Sequence, residues 1–220
     1  MSLQFGEILL PGISGILSTR SAMRRSFFAV LILAGIFAAV FVSWASGSQL
    51  SYGYNLNGQP VTSLATPGTE AVVLFFAATD CPICNRYIPE IQGLEAKYGP
   101  QHVVIWYVYP NVGTTSATVR QHEADYGAEK NVLLDPHHRL VDLTHAIITP
   151  EAAILVPESS GAEPFRVVYA GRIDNRYIHL GEQRPRPTQF DLERAIVDVL
   201  QHHTVQHADG PPVGCGIIGQ

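Results

Sequence analysis

The chain has 220 residues, 46% of them hydrophobic, and this length favours a single domain with extensions over two full domains. Its formal charge of -5 argues against a nucleic-acid-binding protein, because phosphate neutralisation requires a basic surface. Three cysteines are too few for a disulfide-stapled scaffold, so a chemical role is expected for them.

The N-terminal region contains an export signal. Residues 27–45 form an uncharged apolar run that follows Arg24 and Arg25. A basic flank before such a run keeps the N terminus inside and sends the rest of the chain across the membrane. We therefore expect residues 1–25 to be a cytoplasmic n-region and residues 26–45 to be a transmembrane anchor or a signal peptide. The globular part would then face the periplasm from a bacterial inner membrane, or be secreted if the signal is cleaved.

Residues 46–69 carry no charged side chain and are rich in Ser, Gly, Asn, Pro and Thr. This composition is typical of a linker, and Asn57-Gly58 is a turn signal between two short runs of strand-forming residues. We expect a linker that leads into a β-hairpin.

The main domain, assigned to residues 70–205, alternates strand and helix patterns. Ala71–Phe76 is a continuous apolar run, as in a strand buried on both faces, and a helical pattern then runs up to Gly99. The other predicted elements are strands over 102–109, 132–134, 152–156 and 165–169, and helices over 118–126, 139–146 and 191–202. This alternation predicts a parallel-type α/β sheet, and residues 206–220 are expected to form an irregular tail that carries Cys215.

A Cys81-Pro82-Ile83-Cys84 dithiol stands where the first strand turns into the first helix. A cysteine at this place meets the positive end of the helix dipole and unpaired backbone N–H groups, which favour the thiolate. Cys84 lies one turn further on and should be better shielded from solvent. We therefore expect Cys81 to attack a partner disulfide and Cys84 to resolve the mixed disulfide.

Two prolines accompany the dithiol: Pro89, five residues after Cys84, and Pro150, before a predicted strand. With them, the chain from about Tyr52 to His203 resembles the thioredoxin-like superfamily, particularly its exported, membrane-anchored thiol-disulfide oxidoreductases and the redoxin (AhpC/TSA-like) group. In that superfamily a proline stands at the position of Pro89. A cis-proline also opens the strand that faces the dithiol, as Pro150 would.

The resemblance implies a thioredoxin-like α/β fold: a central mixed sheet flanked by helices, extended by the N-terminal hairpin and the transmembrane or signal helix. It implies an extracytoplasmic thiol-disulfide oxidoreductase without an organic cofactor or a metal. Its partners would be protein disulfide or dithiol substrates and a membrane or periplasmic electron donor. The implied catalytic residues are Cys81, Cys84 and Pro150, and the implied substrate-binding residues are Pro82, Ile83 and Thr149. A cis bond at Pro150 would let the Thr149 backbone pair with an extended substrate segment.

Two positions depart from the superfamily pattern. Asp80 replaces the usual tryptophan before the first cysteine, and its charge opposes thiolate formation, which Arg86 could partly offset. Phe75 occupies the place of the buried acid of thioredoxin, so proton transfer must use another group or water.

A peroxiredoxin-like thiol peroxidase is the first alternative. Peroxiredoxins activate a single cysteine with a threonine three residues before it and a proline further upstream. Ala78 and Leu74 hold those places here, which disfavours this alternative.

A copper-binding, metallochaperone-like protein is the second alternative. The related copper chaperones use a CxxxC spacing that this dithiol lacks. A soft metal site could instead combine Cys215 with His202, His203 and His207, of which the last two would share a helical face if the final helix continued. A solvated, histidine-rich helix end is favoured.

Cys215 is the third cysteine, and a free thiol in an oxidising compartment must be buried, paired or used. We hypothesise that it approaches the dithiol as an extra resolving thiol. The alternative is an intermolecular disulfide, which non-reducing gels of Cys215→Ser would reveal as a lost dimer.

Five further polar residues are expected to be exposed in loops. They are His137, His138, His145, Arg172 and Asp174.

Overall fold

The computed structural model describes residues 51–127, 131–158 and 164–219. The predicted transmembrane or signal segment, residues 26–45, lies outside them. Within this described part, no helix is long and apolar enough to cross a membrane. The described residues all belong to one unit, Leu50–Gln220.

A mixed sheet of seven strands forms the centre of this unit. The described residues form eleven strands, which in chain order are β1 (Gly53–Tyr54), β2 (Pro60–Val61), β3 (Ala71–Phe76), β4 (Val103–Tyr109), β5 (Val132–Leu134), β6 (Ile148–Thr149), β7 (Glu151–Pro157), β8 (Phe165–Gly171), β9 (Tyr177–His179), β10 (Glu182–Gln183) and β11 (Cys215–Gly216). Of these, β9 pairs with β10 and β6 with β11 outside the central sheet. The central order is β2-β1-β5-β4-β3-β7-β8. Strands β3, β4 and β5 run parallel, whereas β1, β2, β7 and β8 add antiparallel pairs. The sheet is therefore mixed, as the resemblance implied. The predicted parallel pairing holds only for β3, β4 and β5, because β7 runs antiparallel to β3 and β1 antiparallel to β5.

Four α-helices flank the sheet in the described residues. They are α1 (Pro82–Tyr98), α2 (Ser116–Tyr126), α3 (Arg139–Thr144) and α4 (Asp191–Leu200). The side chain of Thr115 caps α2 in a capping box, and the Asp135 carboxylate accepts three backbone N–H groups of the first turn of α3. These local hydrogen bonds set where the two helices begin.

The two faces of the sheet carry separate hydrophobic cores. All six residues of β3 are fully buried, and their side chains alternate between the faces. Residues Ala71, Val73 and Phe75 pack in the core that α1 and α4 cover. The intervening residues of β3 pack in the core that α3 covers. The loop after β3, which carries the dithiol, is thereby fixed at the end of a strand buried on both faces.

The predicted N-terminal hairpin is confirmed by the pairing of Gly53 with Val61, and Gly58 at its turn has a positive φ of 75°. The hairpin joins the edge of the main sheet through β5. A Cβ at Gly53 would overlap the backbone carbonyl oxygen of Leu134, so only glycine allows this close approach.

One expectation for the C-terminal region was wrong, and one alternative does not apply. Helix α4 ends at Leu200, so His203 and His207 do not share a helical face, and both are exposed, as in the favoured interpretation. The tail is not irregular throughout, because Cys215–Gly216 forms β11 and pairs with β6. A two-residue strand is defined by hydrogen bonds to a distant partner, which hydrophobic periodicity does not show.

Candidate active site

Cys81 lies where the chain leaves β3 and enters α1. It is the N-cap residue of α1 (φ -94°, ψ 107°), and its Sγ accepts a hydrogen bond from the backbone N–H of Cys84 at 3.4 Å. Pro82 occupies the first helical turn, where its missing N–H loses no hydrogen bond. The Cys81 sulfur therefore faces the unpaired amides and the positive end of the helix dipole.

The two sulfurs of the dithiol differ in acidity. A hydrogen bond with the Cys84 side chain is the main cause that lowers the pKa of Cys81 to about 6, against the effect of burial. Burial raises the pKa of Cys84, and the neighbouring Cys81 raises it further. At neutral pH Cys81 is therefore the thiolate and Cys84 the thiol. The predicted attacking and resolving roles require this distribution of charge.

Strand β6 brings the Thr149 backbone to the dithiol. The Cys81 sulfur lies 3.4 Å from the Thr149 carbonyl oxygen, to which it donates when it is protonated, and Thr149 is fully buried. The Thr149–Pro150 peptide bond is cis, as the resemblance implied. The Thr149 hydroxyl makes no hydrogen bond within the described part of the chain. The Thr149 side chain lies near the Cys84 sulfur and partly offsets the rise in the Cys84 pKa that burial causes.

The other predicted site residues lie on the first turn of α1. Pro82 is exposed, and Ile83 is half-buried against the core next to the dithiol. Their role in substrate binding, like the catalytic roles of the two cysteines and Pro150, stays a prediction.

Cys81 is far less accessible than an attacking sulfur was expected to be. Its relative exposure is 1%, and that of Cys84 is 0%, so shielding from solvent does not distinguish them. The difference between the two residues is electrostatic: a protonated Cys84 beside an ionised Cys81.

Cys215 approaches the dithiol from the tail. Strand β11 pairs antiparallel with β6, with Cys215 opposite Thr149. A hydrogen bond between the Cys215 and Cys81 side chains contributes to lowering the pKa of Cys81. Partial burial raises the pKa of Cys215, and its contact with Cys81 and the charge of Asp80 raise it further. None of the three cysteines forms a disulfide in the structure.

A buried polar cluster, formed by Tyr109, His122 and Glu123, lies near Cys84. The Tyr109 hydroxyl donates a short hydrogen bond to the Glu123 carboxylate and contacts His122 Nδ1 at 3.0 Å. Burial raises the pKa of Tyr109, and the charge of Glu123 raises it further. The opposite ring nitrogen of His122 contacts the Asn85 side-chain oxygen at 2.7 Å. This cluster therefore connects the residue after Cys84 with a buried carboxylate.

Sequence reasoning missed this cluster because His122 and Glu123 lie on a predicted polar helix, where such residues are usually solvated. The available signal was two adjacent titratable residues that fall within one turn of Val119, an inward-facing residue of α2. Phe75, at the position of the thioredoxin acid, packs edge-on against Tyr107 instead.

Three residues expected to be exposed are largely buried. Asp174 is 2% exposed and accepts a hydrogen bond from the Tyr87 hydroxyl of α1 at 2.5 Å. The Arg172 side chain pairs with buried Asp191 at 2.6 Å. His138 is buried and contacts the Pro110 carbonyl oxygen. Tertiary partners distant in sequence bury these polar groups, whereas His137 and His145 are exposed as expected.

Arg86 does not form the expected pair with Asp80. Its guanidinium donates to the Gln183 side chain of β10 at 3.0 Å. The thiols and amides around Cys81 lower its pKa instead.

The described residues contain no group of three or more His, Cys, Asp or Glu side chains placed to bind a metal ion. The proposed combination of Cys215 with the C-terminal histidines therefore has no geometric support in this part of the chain.

Comparison with known proteins gives a family and a fold. An uncharacterised conserved protein from Geobacillus kaustophilus is 18% identical, with a TM-score of 0.61 over 78% of this chain and 88% of that one. A hypothetical protein from Sinorhizobium meliloti 1021 is 21% identical, with a TM-score of 0.56 over 68% and 80% of the two chains. A secreted Mycobacterium tuberculosis disulfide oxidoreductase is 19% identical, with a TM-score of 0.41 over 55% and 82%.

The first two likenesses support the fold alone. A comparison with curated proteins gave no match. The AhpC/TSA family model matches residues 48–168, which is more than half of the chain and includes the dithiol and the cis-proline. The chain therefore belongs to the AhpC/TSA family and is an oxidoreductase with a thioredoxin-like fold.

Proposed function

We propose that the protein is an extracytoplasmic thiol-disulfide oxidoreductase that exchanges disulfides with protein substrates through Cys81 and Cys84. The observation that carries this proposal is the position of Cys81 at the N-cap of α1, where its sulfur accepts the backbone N–H of Cys84 at 3.4 Å. Cys81 has its pKa lowered to about 6 at the helix N terminus, while burial raises that of Cys84. A thiolate beside a protonated partner thiol is poised for attack followed by resolution.

The reaction proceeds in two exchanges. The Cys81 thiolate attacks one sulfur of a substrate disulfide, forms a mixed disulfide and releases the other substrate sulfur as a thiolate. Cys84 then loses its proton and attacks Cys81, and the second substrate thiolate leaves. Two protein thiols are oxidised to one disulfide, and one substrate disulfide is reduced to two thiols. The reverse sequence oxidises a substrate dithiol, and the relative potentials of the partners set the direction.

A thiol peroxidase is the second candidate, because the redoxin group that the chain resembles includes peroxiredoxins and the AhpC/TSA family model matches. Its activating threonine and proline are replaced by Ala78 and Leu74, both of which are buried apolar residues. We therefore place disulfide exchange first.

The test compares purified wild type with Cys84→Ser, using a protein disulfide and hydrogen peroxide as separate substrates. We expect rapid disulfide reduction by the wild type and slower turnover in Cys84→Ser, with complete loss once Cys215→Ser is added, because no neighbouring thiol then remains to resolve the mixed disulfide. Peroxide consumption that survives in Cys84→Ser, without disulfide reduction by the wild type, would favour the peroxidase.

Residues 26–45 are proposed to place the domain outside the cytoplasm, on the basis of their apolar composition and basic N-terminal flank. A reporter enzyme that is active only outside the cytoplasm, fused after the full chain, should be active in cells. Replacement of Ile32 and Leu33 by Lys should abolish that activity, because charges interrupt the apolar run. Equal reporter activity in both fusions would contradict the proposed location.

A further inference from the structure

The C-terminal tail is held along β6 by hydrogen bonds on two sides. Cys215 lies opposite Thr149 and Gly216 opposite Ile148. On one side, the Ile217 backbone N–H donates to the Ile147 carbonyl oxygen at 3.1 Å. On the other side, the Ile218 N–H donates to the Asn111 side chain at 3.0 Å, and the Ile218 carbonyl accepts from Val112 N–H at 3.3 Å. The tail is therefore seated as an extended strand in a groove between β6 and the loop after β4.

Two positions of this strand fit the groove closely. A Cβ at Gly214 would overlap the Thr149 carbonyl oxygen and would lie 3.0 Å from Pro150 Cδ. Two residues further on, a Cβ at Gly216 would meet nothing within 4 Å. Ile217 is 8% exposed and belongs to the hydrophobic core that α3 covers. The groove thus requires the smallest residue immediately before Cys215 and takes an aliphatic side chain two positions after it.

Strand β11 also brings the sulfur of Cys215 to Cys81, the attacking cysteine. The register places Cys215 opposite Thr149, whose carbonyl oxygen lies 3.4 Å from Cys81 Sγ, so Cys215 lies beside Cys81. Cys81 is only 1% exposed in this arrangement. A substrate disulfide must contact the Cys81 sulfur to react, so the arrangement must open before an external protein can be attacked.

The surroundings of the groove suit a protein segment. Ile147 and Val112, which flank the groove, are 61% and 54% exposed, and each shares a backbone hydrogen bond with the tail. Exposed aliphatic residues around a strand-binding groove are typical of protein docking surfaces.

We propose that residues 214–217 are a built-in substrate segment. They occupy, as a strand on β6, the groove that binds an extended cysteine-containing segment of a protein substrate. The groove selects glycine immediately before the substrate cysteine and an aliphatic residue two positions after it. This inference rests on the proposed disulfide exchange and specifies its substrate.

Cys215 behaves as the substrate cysteine in this arrangement. Its thiolate attacks Cys81 in an oxidised Cys81–Cys84 disulfide, the bond to Cys84 breaks, a Cys81–Cys215 bond forms, and Cys84 leaves as a thiolate that takes the proton Cys215 gave up. One disulfide and one thiol are present before and after, so the step needs no other reactant. An external substrate cysteine reacts in the same way after it displaces the tail.

Paired glycine substitutions test the occupation of the groove. Gly214→Ala should displace the tail, whereas Gly216→Ala, in the same strand, should not. In the reduced full-length protein, the alkylation rate of Cys81, followed by peptide mass spectrometry, should rise about tenfold or more in Gly214→Ala. The rate in Gly216→Ala should equal that of the wild type. A chain that ends at Pro212, which lacks the tail, should react as fast as Gly214→Ala. Equal rates in these two proteins show that the faster alkylation comes from loss of the tail and not from a folding defect caused by the substitution. Equal rates in all four proteins would overturn the proposal.

Peptides test the selectivity. The octapeptide of residues 212–219, with its cysteine linked to a chromogenic thiol, should react with the Gly214→Ala protein about tenfold faster than the same peptide with alanine in place of Gly214. A peptide with alanine in place of Gly216 should react like the parent. Equal rates for the three peptides would overturn the selectivity. If none of them reacts while Cys81 is readily alkylated, the proposed disulfide exchange itself fails.

Discussion

At the residue scale, the site depends on one sulfur held as a thiolate. The ordinary pKa of a cysteine is 9.0, and that of Cys81 is lowered to about 6 by hydrogen bonds with Cys84 and, to a smaller extent, with Cys215. Cys84 differs from Cys81 by its protonation and not by its exposure, since both side chains are almost completely buried.

The acidity of Cys81 predicts a pH profile. Only the thiolate reacts with iodoacetamide, so alkylation of Cys81 should be slow below pH 6, rise with a midpoint of about 6 and level off by neutral pH. In Cys84→Ala the midpoint should move upward, because the main hydrogen bond to the Cys81 thiolate is lost. Site-resolved mass spectrometry of quenched samples measures both profiles. A midpoint near 9.0 in the wild type would contradict the assigned acidity.

The sequence predicted the dithiol and its placement before a helix, because both depend on residues close together in the chain, and the family resemblance implied the cis-proline. It did not predict the burial of Asp174, Arg172 and His138. Their partners are Tyr87, Asp191 and Pro110, which lie up to 87 residues away in the chain. Sequence patterns carry no record of such pairings unless homologous chains are compared.

At the scale of elements, helix α2 supplies the buried carboxylate that strand β3 lacks. The strand offers Phe75 where thioredoxin has an acid, and α2 places Glu123 and His122 against the Tyr109 hydroxyl instead. One Glu123 oxygen makes no hydrogen bond within the described residues. We propose that this cluster receives the proton that Cys84 must lose before it attacks.

Glu123→Gln tests this role. The amide keeps the size and a hydrogen-bond acceptor for Tyr109 but no longer takes a proton, so resolution of the mixed disulfide should slow by about tenfold or more. Formation of the mixed disulfide by Cys81 should be unchanged. Stopped-flow single-turnover kinetics separate the two steps. Asp125→Asn, an exposed substitution on the same helix, is the matched control and should change neither step. Equal slowing of both steps in Glu123→Gln would point to a structural defect instead.

The remaining elements show which features sequence patterns capture. Continuous apolar runs and helical periodicity predicted β3, β5 and α1, because burial on both faces or on one face leaves a local signature. Strand β11 has only two residues and exists through its bonds to β6, so no local signature marked it. The order of the strands likewise depends on long-range pairing.

At the scale of the whole molecule, the sheet brings three separate parts of the chain to one point. The loop after β3 and the first turn of α1 carry Cys81 and Cys84, β6 carries Thr149, and β11 carries Cys215. The resemblance to thioredoxin-like proteins implied that the dithiol and Thr149 meet, and the structure adds that Cys215 pairs with Thr149 through β11. In the proposed arrangement, β11 occupies the place of a bound substrate strand.

The central claim is that Cys81 attacks a protein disulfide, and trapping the mixed disulfide tests it most directly. In Cys84→Ser combined with Cys215→Ser, neither neighbouring thiol can resolve the intermediate, so a mixed disulfide between Cys81 and the substrate should accumulate. Non-reducing electrophoresis and mass spectrometry would identify it, and Cys81→Ser should form none. Attachment through another residue, or no adduct while hydrogen peroxide readily oxidises Cys81 to a sulfenic acid, would contradict the account.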